Sequence, residues 1–192
     1  MPKKATKKRK GNPGKGSSFE RDFARKLSLW WSDGQADDWF WRVGGSGGRA
    51  TQRAKSGKGT ANGCGDIAAQ GGDGQRLLNL VTFELKRGYN SATIQDLLDK
   101  PEGPNQMRDF IEQAKRSASI AGTPYWILVV KRDRREELVI TDYNRWIGDF
   151  QRIMFRIDDD DTDSFSLYRL SDFFTKGVHQ HFEKVIENAS QS

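Results

Sequence analysis

Apolar positions fall along the chain in two rhythms, and each change of rhythm marks an element. Phe19, Phe23, Leu27 and Trp30 recur at steps of three and four, the spacing of one helix face. Ser17 followed three residues later by Glu20 forms a capping-box signature at the start of that helix, and Ser32-Asp33-Gly34 supplies its stop. The rhythm then shortens. Trp39-Phe40-Trp41-Arg42-Val43 reads as a strand, Asp66-Ile67-Ala68-Ala69 as a second, and the stretch from Leu77 to Lys86 as a third. Gly71-Gly72-Asp73-Gly74 carries strong turn signals between the last two, which predicts a hairpin. Helical spacing returns over 105–121, where Met107, Phe110, Ile111, Ala114 and Ala118 share one side and Gly122-Thr123-Pro124 ends the element. Tyr125 to Val130 is a nearly continuous apolar run, as in a strand covered on both faces, and Leu138-Val139-Ile140 predicts its partner across a polar turn.

The order helix, three strands, helix, strand, strand predicts an α/β fold with a mixed central sheet flanked by helices. Residues 1–16 are Lys, Gly and Pro with almost nothing apolar, and read as a disordered basic tail. Residues 17–150 hold the core. Residues 151–192 read as a C-terminal helical appendage, with an acidic loop at Asp158 to Asp161 and an amphipathic helix over 171–188.

Charge sharpens this picture. The 192 residues carry a net charge of +6, and residues 1–58 hold 15 Lys and Arg against 5 Asp and Glu. That local surplus of +10 leaves the remainder at −4, and a basic half of this strength commonly meets a polyanion, DNA or RNA. Part of it lies in a glycine-rich stretch, 44–63, with Arg49, Arg53, Lys55 and Lys58. The stretch reads either as a solvated loop or as a phosphate contact in which glycine lets backbone N–H groups approach; both hold if it orders only on DNA. The single cysteine, Cys64, excludes an internal disulfide and fits a reducing compartment. No apolar run approaches the ~18 residues of a membrane span, and none follows the basic N-terminus as a secretory signal requires. The expected setting is intracellular: the cytoplasm of a bacterial or phage-infected cell, or a nucleus if the lysines at 3–10 serve import.

Three residues carry chemistry in this frame. Asp66 opens one strand signal, and Glu84 and Lys86, two apart on the next, leave the same face. Two carboxylates suffice to hold Mg²⁺, which takes hard oxygen ligands and keeps several waters. A neighbouring ammonium orients the attacking water or offsets charge building at phosphorus. The alternative is that Glu84 and Lys86 are ordinary solvent-facing charges on an edge strand. A P-loop is excluded because Gly59 follows Gly57-Lys58, and an EF-hand because Ser164 and Leu170 stand where Gly and Glu are required.

The order Glu20, Gly45-Ser46-Gly47, Gly65-Asp66-Ile67, Phe83-Glu84-Leu85-Lys86 resembles the PD-(D/E)XK nuclease superfamily, and more narrowly the archaeal-type Holliday-junction resolvases and their phage-encoded relatives. The resemblance covers about residues 16–140. It implies a restriction-endonuclease-like αβββαβ core, with Asp66 and Glu84 as metal-binding acids and Lys86 as catalytic lysine. Glu20 matches the acid that the first helix brings to the metal site, against its competing reading as a helix cap. Ser46 matches a serine near the scissile phosphate, or is simply a small residue tolerated in a glycine turn. Gln113 falls where relatives carry a polar residue facing the site. Gly65 departs from the pattern by replacing proline before the aspartate.

The function implied is Mg²⁺-dependent endonucleolytic cleavage of DNA, with Mn²⁺ able to substitute. Its expected substrate is branched DNA such as Holliday junctions in recombination or repair, cut by a homodimer, with Arg42, Arg49, Arg53, Lys55 and Lys58 as DNA contacts. The alternatives are a nuclease on linear duplex or ends, and a non-catalytic DNA-binding module.

Overall fold

In a computed structural model the described residues are 14–43, 65–99, 104–142, 152–156 and 164–190. The first helix, α1 (Gly14–Trp31), buries Phe19, Phe23 and Leu27 along one face as expected, while the tryptophan buried with them is Trp31 and the expected Trp30 is half-buried against the same core. It begins three residues before Ser17, so Ser17 lies inside the helix rather than at the N-cap position expected of it. Residues 14–16, assigned to the tail from sequence, are helical. The chain turns at Asp33 and Gly34, both with positive φ, and enters β1 (Phe40–Arg42).

β1 pairs antiparallel with β2 (Ile67–Ala69) in a two-stranded sheet, with Arg42 opposite Ile67. The predicted hairpin from the second strand to the third is replaced by a short helix, α2 (Gly72–Leu78), which leads into β3 (Val81–Arg87). Turn-forming glycines misled the expectation. Gly71 takes φ 85, but Leu77 is fully buried under the helix rather than alternating along a strand. A further short helix, α3 (Asp96–Asp99), precedes α4 (Gln106–Ala121). The stop and the apolar stripe of α4 act as read, and a cap that was not read adds to them. Asn105 caps its first N–H groups through its side chain, Gly122 takes the left-handed conformation at its end, and the five predicted apolar residues are all buried.

α4 is the crossover between β3 and β4 (Tyr125–Lys131), which run parallel. β5 (Glu137–Thr141) returns antiparallel to β4. The C-terminal segment adds more than the expected helix. β6 (Ile153–Arg156) and β7 (Ser164–Arg169) extend the sheet to the order β3-β4-β5-β7-β6, with every pairing after the first antiparallel. Two helices then follow, α5 (Leu170–Phe173) and α6 (Lys176–Ser190).

The result is a restriction-endonuclease-like mixed sheet between helical layers. One core joins α1 and α6 to the β3 residues Val81, Phe83 and Leu85; the other joins α4 to Trp126, Leu128, Val130 and Ile140. Trp30 fixes α1 to the C-terminal layer, its ring centroid 5.1 Å from Phe173 and 5.4 Å from His179, and its indole N–H donating to the Thr175 carbonyl. Phe182 is fully buried in this layer. Phe182→Ala is therefore expected to cost about 3–5 kcal/mol in urea unfolding, as for a core phenylalanine; a loss below about 1 kcal/mol would show that α6 is not part of the α1 core.

Candidate active site

β3 is the terminal strand of the five-stranded sheet, so one row of its backbone groups faces away from β4. Asp66 occupies that edge. Its N–H donates to the Phe83 carbonyl at 2.8 Å, and its Oδ2 accepts from the Leu85 N–H at 2.8 Å. These bonds satisfy edge groups that would otherwise be orphaned and pin the aspartate on either side of Glu84. The close approach requires Gly65. Its φ is 85, and a Cβ there would lie 2.6 Å from the Phe83 oxygen and 2.8 Å from Thr82 Cγ2. The departure from the proline of the resemblance thus has a backbone cause, since proline is locked near φ −65°.

Alternation along β3 sends Phe83 and Leu85 into the α1 core and Glu84 toward α4. Glu84 is 2% exposed. Lys86 Nζ donates to its Oε1 at 2.6 Å, confirming the shared face, and Gln113 Nε2 donates to the same oxygen. Ser117 Oγ stands 3.4 Å from Oε2. The lysine side chain is 12% exposed, with Nζ 5.5 Å from the centroid of the Phe110 ring. Burial, first, and the Asp66 charge, second, raise the Glu84 pKa above its ordinary 4.5, while Lys86 and Ser117 oppose the rise.

This environment suits a divalent cation on chemical grounds. Two hard carboxylates repel one another across a partly dry edge, and a cation between them would relieve both the repulsion and the burial penalty. Among the described residues no group of three or more His, Cys, Asp or Glu converges, so two acids are the set on offer.

Of the other expected site residues, Gln113 reaches the site from α4 as read. Arg42 and Glu20 meet each other, Arg42 Nε donating to Glu20 Oε2 at 2.7 Å across β1 and α1. Ser46, Arg49, Arg53, Lys55 and Lys58 lie outside the described residues. Ser117 was missed from sequence. Ser117 lies four residues after Gln113 on the same helix face, a spacing that could have found it. Arg87, on the α1 side of β3, sets its guanidinium 5.9 Å from the Phe19 ring centroid.

A protein-family model described as phage putative PDDEXK endonuclease matches residues 11–187. The chain belongs to that family. No curated protein and no solved structure matches at a significant level.

Two outcomes follow from the geometry. A group whose folded pKa is raised contributes stability that is full below its unfolded value, here about 4.5, and lost as pH rises through the folded one. The metal-free stability difference between wild type and Glu84→Gln should therefore move in favour of wild type as pH falls from neutral toward 4.5; a difference independent of pH would contradict the burial. Gly65→Ala should destabilise the fold by roughly 1–3 kcal/mol in urea titration, because the obstructing Phe83 atom is backbone; a neutral substitution would show that Asp66 is not held as described.

Proposed function

Proceeding from membership of that endonuclease family, we propose that the protein is a metal-dependent endodeoxyribonuclease acting on branched DNA. The single observation that supports the catalytic reading is that Asp66, held on the Leu85 N–H at the outer edge of β3, raises by its charge the pKa of Glu84, which is itself ion-paired with Lys86. Asp66 and Glu84 would hold Mg²⁺, with Mn²⁺ able to replace it. Such an ion, when bound, supplies Lewis acidity and a water of lowered pKa. The chain itself supplies the rest. Gln113 and Ser117 orient the Glu84 carboxylate from behind. Lys86, already within hydrogen-bond reach of Glu84, is placed to orient the nucleophilic water or to offset charge at phosphorus. The apolar shelf of Phe110 limits the directions its ammonium can take.

The basic surplus over residues 1–58 supports a polyanionic substrate. The preference for branched DNA, and action as a homodimer making paired cuts inside a bacterial or phage-infected cell, rest on the likeness to junction resolvases. Ser46, as a catalytic serine near the scissile phosphate, and Arg49, Arg53, Lys55 and Lys58, as DNA contacts, belong to this proposal.

The test is a panel of labelled junction, flap and linear duplexes with Mg²⁺, Mn²⁺ or EDTA. Cleavage should need the metal, favour the junction, and fall about a hundredfold or more in Asp66→Ala and Glu84→Ala while DNA affinity persists. Lys86→Ala should lower kcat more than it raises KM. Equal cutting of linear DNA would favour the linear-duplex reading, and inertness of wild type with every substrate would leave a DNA-binding module.

A further inference from the structure

Glu20 has lost one of its two expected roles, since the helix begins at Gly14 and needs no cap at Ser17. What the structure gives it instead is a cation. Arg42 Nε donates to Glu20 Oε2 at 2.7 Å, with the arginine side chain 34% exposed and the glutamate 19%. A guanidinium carries five N–H donors in a fixed plane. Glu20 engages the one nearest the stem, and no other described residue accepts from the Nη groups. A carboxylate held through Nε orients the plane and leaves the outer fork presented, the geometry that receives two oxygens of one phosphate.

The location matches that use. Arg42 sits opposite Ile67, the residue after Asp66, and the Val43 N–H donates to the Asp66 carbonyl at 2.9 Å. The backbone that carries the guanidinium is thus bonded to the backbone that carries the metal-binding acid. Beside it opens a groove of about 370 Å³ between α1 and β1, lined by Arg42, Arg21, Arg25 and the exposed Trp41. Asp37 and Asp38 also line it, and Asp37 is paired with Arg25 at 3.0 Å.

We infer that Glu20 is a positioning residue rather than a metal ligand: it aims the Arg42 fork at a phosphate of the DNA strand running through the α1–β1 groove past Asp66. The inference rests on the nuclease reading for the identity of the strand. It departs from the role that the family likeness implies for a first-helix acid.

The experiment is a double-mutant cycle on the full chain, read as DNA affinity by fluorescence anisotropy in EDTA, so that cutting does not enter. Arg42→Ala and Glu20→Ala should each weaken binding about tenfold, the scale of one charge-assisted hydrogen bond. The double variant should bind no more weakly than Arg42→Ala alone, and Glu20→Gln, which still accepts from Nε, should stay within about twofold of wild type. Mn²⁺ affinity without DNA, measured calorimetrically, should be unchanged in Glu20→Gln. Additive losses would overturn the inference. So would tighter DNA binding by Glu20→Ala, which would mark the pair as competing with phosphate. Loss of Mn²⁺ binding in Glu20→Gln would return Glu20 to the metal site and overturn it too. None of these results bears on cleavage by Asp66, Glu84 and Lys86, so a failed clamp and a failed nuclease remain distinguishable.

Discussion

The two hydrogen bonds between Asp66 and the outer edge of β3 hold the rest of the site in place. A terminal strand leaves N–H and C=O groups without a ladder partner, and here the N–H of Asp66 and its carboxylate supply what a further strand would have supplied. The same bonds fix an acid on the strand edge next to Glu84. β2 and β1 are carried with it, because Val43 and Arg42 pair with the segment from Asp66 to Ile67. Gly65 is the condition for all of this, since any side chain there meets the Phe83 oxygen.

From that arrangement follows the electrostatic character of the site. Glu84 is almost fully buried on the α4 side of the sheet, and desolvation outweighs the other causes that act on its proton affinity. Lys86, Gln113 and Ser117 supply donors, but a second carboxylate stands close by. Burial and the Asp66 charge together thus oppose ionisation of Glu84. A hard divalent cation would offset both, which ties the packing of α4 against β3 to the metal chemistry proposed for the site.

Elements whose signals are local were legible in the sequence. α4 carries its own cap, stop and apolar stripe, and β4 its apolar run, so neither needed tertiary information. The shared face of Glu84 and Lys86 was legible because alternation in a strand fixes it, whereas the hairpin expected to bring Asp66 beside them is replaced by α2. What failed depended on partners distant in the chain. Gly71 to Gly74 carries turn chemistry, yet the burial of Leu77 between α1 and the sheet turns the segment into α2. β7 looked like part of an appendage because its partner β5 lies across an interval that gives no pairing signal. Glu20 fits a capping box by spacing alone, and only the approach of Arg42 from another element reveals its actual bond.

The central claim is that Asp66 and Glu84 share one divalent cation beside Lys86. Anomalous diffraction from crystals of the protein grown with Mn²⁺ addresses it directly. The account predicts a single strong peak bridging the Asp66 and Glu84 carboxylates within coordination distance of both. A peak confined to other residues, with these two carboxylates uncoordinated at saturating Mn²⁺, would contradict it.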